Sequence, residues 1–315
     1  MSALFLVAAV AAGALAPVDV VSRDLQRPEG PRHYLIADPA PRGDHGVPLV
    51  ILLHGHGGSA QQLLGRAIGA APLSTWLEIA ARDGLVVIAP DGARGSDDKP
   101  GWNDCRADAA SNPRTDDLGF IAALIDSAVA GNHVDPKHVY VMGMSNGGFM
   151  TFRLGVELPR IAAIATVGAS MAARSQCQPP SRPLSVLMIN GDADPLVPYQ
   201  GGDVRFFSQK SRGSALPVED AARGWRVLDA LAEQPAEIRD FAKLDPDDKT
   251  LARMRLWGGD PRRPQVELIK IEGGGHVEPS IRQRIGGLYR GIVGAQNGDF
   301  EAAEEAWRFF RTKTR

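Results

Sequence analysis

Apolar residues collect along this chain in short, dense runs. Residues 47–53 read Val-Pro-Leu-Val-Ile-Leu-Leu, the nearly unbroken pattern of a central strand covered on both faces. Residues 85–89, 138–142, 161–167, 184–189 and 266–271 repeat it. Between them the apolar positions fall at helical spacing. They predict helices over 59–64, 76–82 and 118–130, and a fourth from the residues after 145 to about Leu158, where Pro159 stops it. Two earlier runs, 18–21 and 33–36, predict an edge hairpin. At the far end, 297–310 predicts an amphipathic helix with Ala302, Ala306, Trp307 and Phe310 on one face. Strands alternating with helices specify an α/β chain: a doubly wound, mostly parallel sheet with helices on both faces. Residues 203–262 break the rhythm. Charged, helix-like stretches at 219–231 and 245–257 mix there with Gly and Pro. The expectation is one catalytic domain over 17–315, with an insertion at about 203–262 packed beside the site.

Composition narrows the function. The chain has 315 residues, 44% hydrophobic and 23% charged, with a formal charge of −2. It is long enough for a sizeable core, and its mixed charges give no footprint for nucleic acid or a membrane surface. Met1 to Ala16 carries no charged side chain and ends in Ala14-Leu15-Ala16, as a secretory signal peptide does; a buried N-terminal helix is the alternative. The run is too short to span a bilayer comfortably. Secretion or a periplasmic location follows from the leader. In such a compartment Cys105 and Cys177 are disulfide candidates, free buried thiols being the alternative. They cannot make a zinc site without clustered histidines, and neither a metal nor a cofactor is expected.

The run at 138–142 leads into Gly143-Met144-Ser145-Asn146-Gly147-Gly148, followed at once by a helical pattern. Gly-x-Ser-x-Gly between strand and helix places a serine on a sharp turn above the sheet, with helix N–H groups free beside it. Ser145 is thus the expected nucleophile. A serine needs a base, and the base needs an acid to fix its tautomer. In the α/β-hydrolase order the acid comes next and the histidine last. Of seven histidines only His276 follows the acidic candidates, on Gly273-Gly274-Gly275. Asp194 is the expected acid, kept extended by Pro195, with Asp192 read as a turn residue. The glycines after residue 53 point to the backbone N–H of His56 as one oxyanion donor and that of Asn146 as the other. His54 reads as structural. Trp102, in the long polar loop 93–112, either walls a substrate cleft or lids the core; Asn103 and Tyr199 join it as cleft candidates. Asp116 and Asp117 read as caps of the helix over 118–130.

Taken together, His54-Gly55-His56-Gly57-Gly58-Ser59, Gly101-Trp102-Asn103, the Ser145 turn, Gly191-Asp192-Ala193-Asp194-Pro195-Leu196-Val197-Pro198-Tyr199 and Gly273-Gly274-Gly275-His276 resemble the polyhydroxybutyrate depolymerase and feruloyl/acetylxylan esterase group of secreted α/β-hydrolases. The resemblance covers roughly 31–278. It implies carboxylic ester hydrolysis through an acyl-serine, with the acid at Asp194. Val277-Glu278-Pro279 departs from the group, where Trp-Pro often follows the histidine. No Thr- or Pro-rich linker appears, which favours a soluble aryl, acetyl or short hydroxyalkanoate ester, small or oligomeric, over granular polymer. A serine peptidase of prolyl-oligopeptidase type and a non-catalytic binding protein on the same fold are the competing readings.

Overall fold

The computed structural model describes residues 18–39, 45–205 and 212–315; the expected leader at 1–16 lies outside them. Ten strands form one sheet: β1 (Val20–Arg27), β2 (Gly30–Ala37), β3 (Val47–Leu53), β4 (Val86–Pro90), β5 (Val134–Met144), β6 (Ala163–Val167), β7 (Ser185–Gly191), β8 (Glu237–Asp240), β9 (Leu251–Trp257) and β10 (Val266–Glu272). Their spatial order is β1-β2-β4-β3-β5-β6-β7-β10-β9-β8. From β4 to β10 all neighbours run parallel. The antiparallel pairs β1–β2, β2–β4, β10–β9 and β9–β8 finish the two edges.

Successive residues of β3 serve opposite faces. Val50 and Leu52 belong to a core layer with Trp76, Trp307 and Phe310. Leu49, Ile51 and Leu53 belong to a second layer with Phe120, Phe152 and Trp225. The first layer is covered by α1 (Ala60–Leu63), α2 (Thr75–Asp83) and α7 (Ala302–Phe310). The second is covered by α3 (Asp117–Gly131), α4 (Asn146–Glu157) and α5 (Val218–Leu228). Each β3 residue from Leu49 to Leu53 is fully buried, an environment worth about 1.5–3 kcal/mol per large aliphatic side chain. That explains why a strand with no polar face forms here. No helix among the described residues is long and apolar enough to cross a membrane.

Three elements differ from the sequence expectation. Residues 251–257 form strand β9, not part of a helix, because Ala252 and Met254 are buried while Leu251 and Arg253 are exposed; that is a period of two. Strand β5 starts at Val134, four residues before the apolar run, and Val134 pairs with Val47. The last helix starts at Ala302 rather than 297. The Glu301 carboxylate accepts from Ser280, Ile281 and Arg282, and Asn297 and Asp299 are bound up with Thr250 and Lys243, which commits that segment to loop contacts. The capping expectation held for Asp116, whose carboxylate accepts from Gly119 N. Asp117, the first residue of α3, puts its negative charge in the first turn as expected, and there it is buried and pairs with Arg32 at 2.8 Å. Ser59 caps α1 through Gln62 N.

Candidate active site

Strand β5 ends at Met144 and α4 begins at Asn146, so Ser145 alone makes the turn. Its backbone sits at φ 54°, ψ −122°, a conformation costing on the order of 1–3 kcal/mol in a non-glycine residue. The surroundings enforce it. Ser145 N donates to Val167 O at 2.9 Å, and Ser145 O accepts from Phe149 N. A Cβ on Gly147 would lie 2.2 Å from Leu53 O; only glycine lets the first turn of α4 rest on the end of β3. The Asn146 side chain ties the turn to the loop over 93–112. Its Oδ1 accepts from Trp102 N at 2.7 Å, and its Nδ2 donates to Asp104 Oδ2 at 2.8 Å. As the first residue of α4, Asn146 has a backbone N–H with no intrahelical acceptor, at the positive end of the helix dipole.

Asp194 and His276 meet just past β7 and β10. Asp194 Oδ1 accepts from Leu196 N and Val197 N, both at 2.8 Å, and Oδ2 lies 2.7 Å from His276 Nδ1. An ionised carboxylate only accepts, so the ring proton sits on Nδ1 and Nε2 keeps its lone pair. Both side chains are buried. The imidazole lies on Gly168: a Cβ there would be 3.0 Å from Nδ1, and the backbone φ of 56° favours glycine. Val167, whose carbonyl holds Ser145 N, immediately precedes Gly168, so serine and imidazole border the same tight segment. The Ser145 residue is partly exposed, and its hydroxyl is not hydrogen-bonded to the ring in this structure. Asp192 is the turn residue its place suggested; it accepts from Gly273 N and pairs with Lys270.

The turn after β3 reaches the same place, since a Cβ on Gly55 would lie 3.3 Å from Ser145 Cβ. The next backbone N–H is that of His56, whose ring points away to Asp97 at 2.9 Å. Burial lowers the His56 pKa, and Arg212 adds to the effect. His54 is structural. Its Nε2 accepts from Gly92 N at 2.9 Å, so Nδ1 is the protonated nitrogen and donates to Gly55 O at 2.7 Å. Burial lowers its pKa as well, and the ring ties the β3 turn to the one after β4.

Two cleft candidates are corrected. Trp102 is fully buried and donates Nε1–H to His54 O; it is the lid over the core, beneath the site. Tyr199 is also buried, its hydroxyl donating to Glu219 at 2.6 Å, which seats α5 against the acid loop. Asn103 is half-buried, and its polar groups hold Asp117, Thr115 and Arg153. Asp104 and Arg106 are positions the sequence reading missed. Their buried ion pair, 2.6 Å long, receives the Asn146 amide, and the Arg106 guanidinium stacks 3.9 Å above the Phe149 ring. In sequence they look like two charges in a polar loop, and nothing marks their distant partners. Cys105 and Cys177 are joined, with Cα atoms 5.3 Å apart. A cavity of about 280 Å³ beside this disulfide is lined by Phe149, Phe152, Val156 and Met171. Another of about 250 Å³, between Glu219 and Trp257, contains none of the site residues.

Comparison with known proteins bears on what such a site serves. No family model matches the chain. It is 35% identical over 281 residues to "Putative esterase NocK" of Nocardia uniformis subsp. tsuyamanensis, covering 86% of this chain and 76% of that protein. It is 29% identical over 246 residues to Feruloyl esterase B of Piromyces equi, covering 75% of this chain but only 40% of that one. Among solved structures, acetyl xylan esterase from Aspergillus awamori superposes with a TM-score of 0.58 at 12% identity, over 93% of this chain and 99% of the other. The shared architecture is the α/β-hydrolase fold.

Proposed function

The chain belongs to a family of carboxylic ester hydrolases, and from that premise we propose that it is a serine esterase acting through Ser145, His276 and Asp194. The observation that carries this reading is the buried Asp194–His276 pair, 2.7 Å long, beside a serine on a strained strand-to-helix turn. In the first step Ser145 Oγ attacks the ester carbonyl as His276 Nε2 takes its proton. For this the hydroxyl must come within about 2.6–3.2 Å of Nε2. The tetrahedral oxyanion is received by the backbone N–H groups of His56 and Asn146, a contribution of about 3–4 kcal/mol per donor in comparable sites. His276 then gives the proton to the departing alcohol, leaving an acyl-serine. Water, deprotonated by the same ring, releases the acid. Asp194 keeps the proton on Nδ1 and stabilises the imidazolium.

The substrates we infer are soluble aryl, acetyl or short hydroxyalkanoate esters; a relative named for feruloyl esters supports an aryl-bearing acyl group. Residues 17–315 act as one catalytic domain, since β8 and β9, from the expected insertion, hydrogen-bond into the main sheet. The Cys105–Cys177 disulfide supports a secreted or periplasmic location. The test is a panel of p-nitrophenyl esters graded by acyl length, with matched anilides. Wild type should cleave esters well ahead of amides, and Ser145→Ala should abolish turnover. Equal turnover by Ser145→Ala would refute the serine mechanism.

A further inference from the structure

Proton delivery fixes where the two halves of an ester lie. His276 protonates the leaving oxygen, so the alcohol half must sit against the imidazole, and whatever borders His276 borders the alcohol. That border is the segment 278–296, which includes the short helix α6 (Gly287–Val293). It is stapled down on both sides. His276 N donates to Val293 O at 2.6 Å and Gly275 N to Ala295 O at 2.7 Å. Gln296 Oε1 accepts from Ile285 N, while its Nε2 donates to Glu278 O and Gln283 O. Beneath, Val277, Ile285 and Val293 pack with Leu196 and Ile292; Leu196 is the residue whose N–H holds Asp194. Two large apolar side chains of α6 stay uncovered, next to the exposed Arg290: Leu288 is 91% exposed and Tyr289 54%.

Glu278 opens this segment two residues after His276, its backbone carbonyl accepting from Gln296 Nε2. It is partly buried, and among the described residues no Lys or Arg forms an ion pair with its carboxylate. The one hydrogen bond to it comes from its own backbone. It lies within electrostatic reach of both His276 and Tyr289, and burial raises its pKa. The proposed reaction gives this group nothing to do. A partly desolvated carboxyl without a protein partner is satisfied best by a hydrogen-bond donor brought in by a ligand.

Building on the serine-esterase reading above, we propose that Glu278 and Tyr289 form the subsite for the alcohol half of the ester, the Glu278 carboxyl accepting a hydrogen bond from a hydroxyl on that alcohol while its carbon skeleton lies on Tyr289 and Leu288. Glu278 is then a specificity-determining residue, selecting hydroxylated alcohols over plain alkyl ones.

A matched pair tests this: 2,3-dihydroxypropyl acetate and propyl acetate share the acyl-enzyme, so any difference in kcat/KM arises while the alcohol is still bound. Wild type should favour the hydroxylated ester by about tenfold, the discrimination expected for one charge-assisted hydrogen bond in a half-open site. Glu278→Ala should bring the ratio close to one, and Glu278→Gln, which keeps an acceptor oxygen, should restore part of it. Tyr289→Ala, a change at an exposed position, should raise KM several-fold for both esters, and it decides the matter together with Glu278→Gln if Glu278→Ala does not fold. An unchanged ratio in the Glu278 variants overturns the proposal. So does an equal loss on both esters with a displaced pH profile, which would mean that Glu278 acts through His276. A wild-type protein that hydrolyses neither acetate nor any aryl ester refutes the serine-esterase reading itself, and the subsite falls with it.

Discussion

Asn146→Asp changes one atom of the lock between the Ser145 turn and the loop over 93–112. Asn146 Nδ2 lies 2.8 Å from Asp104 Oδ2 inside the protein. With oxygen in place of that NH₂, the introduced carboxyl faces a carboxylate that is already paired with Arg106. Two like charges about 3 Å apart repel by about 5 kcal/mol at an effective dielectric of about 20, an upper value because Arg106 stands beside them. Rather than ionise, the introduced group keeps its proton in the folded state. Its folded pKa is therefore raised above the unfolded value of about 3.9, and the sign follows: stability is intact below that value and is lost as pH rises, by about 1.4 kcal/mol per unit. The loss should be about 1.5 kcal/mol at pH 5 and about 5 kcal/mol at pH 8, close to the whole stability of many domains. Asn146→Ala is the control. It leaves the buried Trp102 N–H without its acceptor, which costs about 1–3 kcal/mol at either pH. Urea unfolding of both variants at pH 5 and pH 8 reads this out. If Asn146→Asp loses no more stability between pH 5 and pH 8 than Asn146→Ala does, the Asn146–Asp104 contact does not hold the turn as described.

Other expectations follow from the same contacts. Asp194→Asn should lower kcat on an aryl ester by roughly 10⁴ with little loss of fold, because the amide can hold His276 in the wrong tautomer; a loss under tenfold would remove Asp194 from the mechanism. Reducing the Cys105–Cys177 bond, which closes a separation of 72 residues, should cost about 4 kcal/mol by loop entropy, seen as a fall in Tm with dithiothreitol that Cys105→Ser does not show. Asp229 carries one carboxylate oxygen with no partner, and burial pushes its pKa up to about 7. Wild type should therefore lose stability as pH rises from about 4 toward 7. Asp229→Asn, which can still accept from Leu184 N, should gain Tm relative to wild type by clearly more at pH 8 than at pH 5, with the difference vanishing below about pH 4.

The central strands are legible in the sequence because burial on both faces leaves a pattern no surface element shares. The meeting of Asp194 and His276 is legible because each follows a strand end and His276 is the only histidine beyond Asp194. Strand β9 is not. Its outer positions are Arg253 and Arg255, both ion-paired, and three buried residues in seven are too few to tell period two from helical spacing inside a charged stretch. Trp102 is open to two readings, since an indole suits a cleft wall and a core lid alike; what decides it is His54 O, 48 residues away. Asp104 and Asn146, 42 residues apart, are joined by tertiary packing alone, which no local pattern encodes. Leu288 and Tyr289 fall where the sequence pattern predicts no element, and their place is set only by α6, whose Val293 O accepts from His276 N.

The most direct measurement is peptide mapping by mass spectrometry after treatment with a fluorophosphonate. A single adduct on Ser145 is expected, formed in step with the loss of ester hydrolysis and much more slowly in His276→Ala. Full inhibition with the label on another residue, or unimpaired hydrolysis by a fully labelled Ser145, would contradict the assignment of the nucleophile.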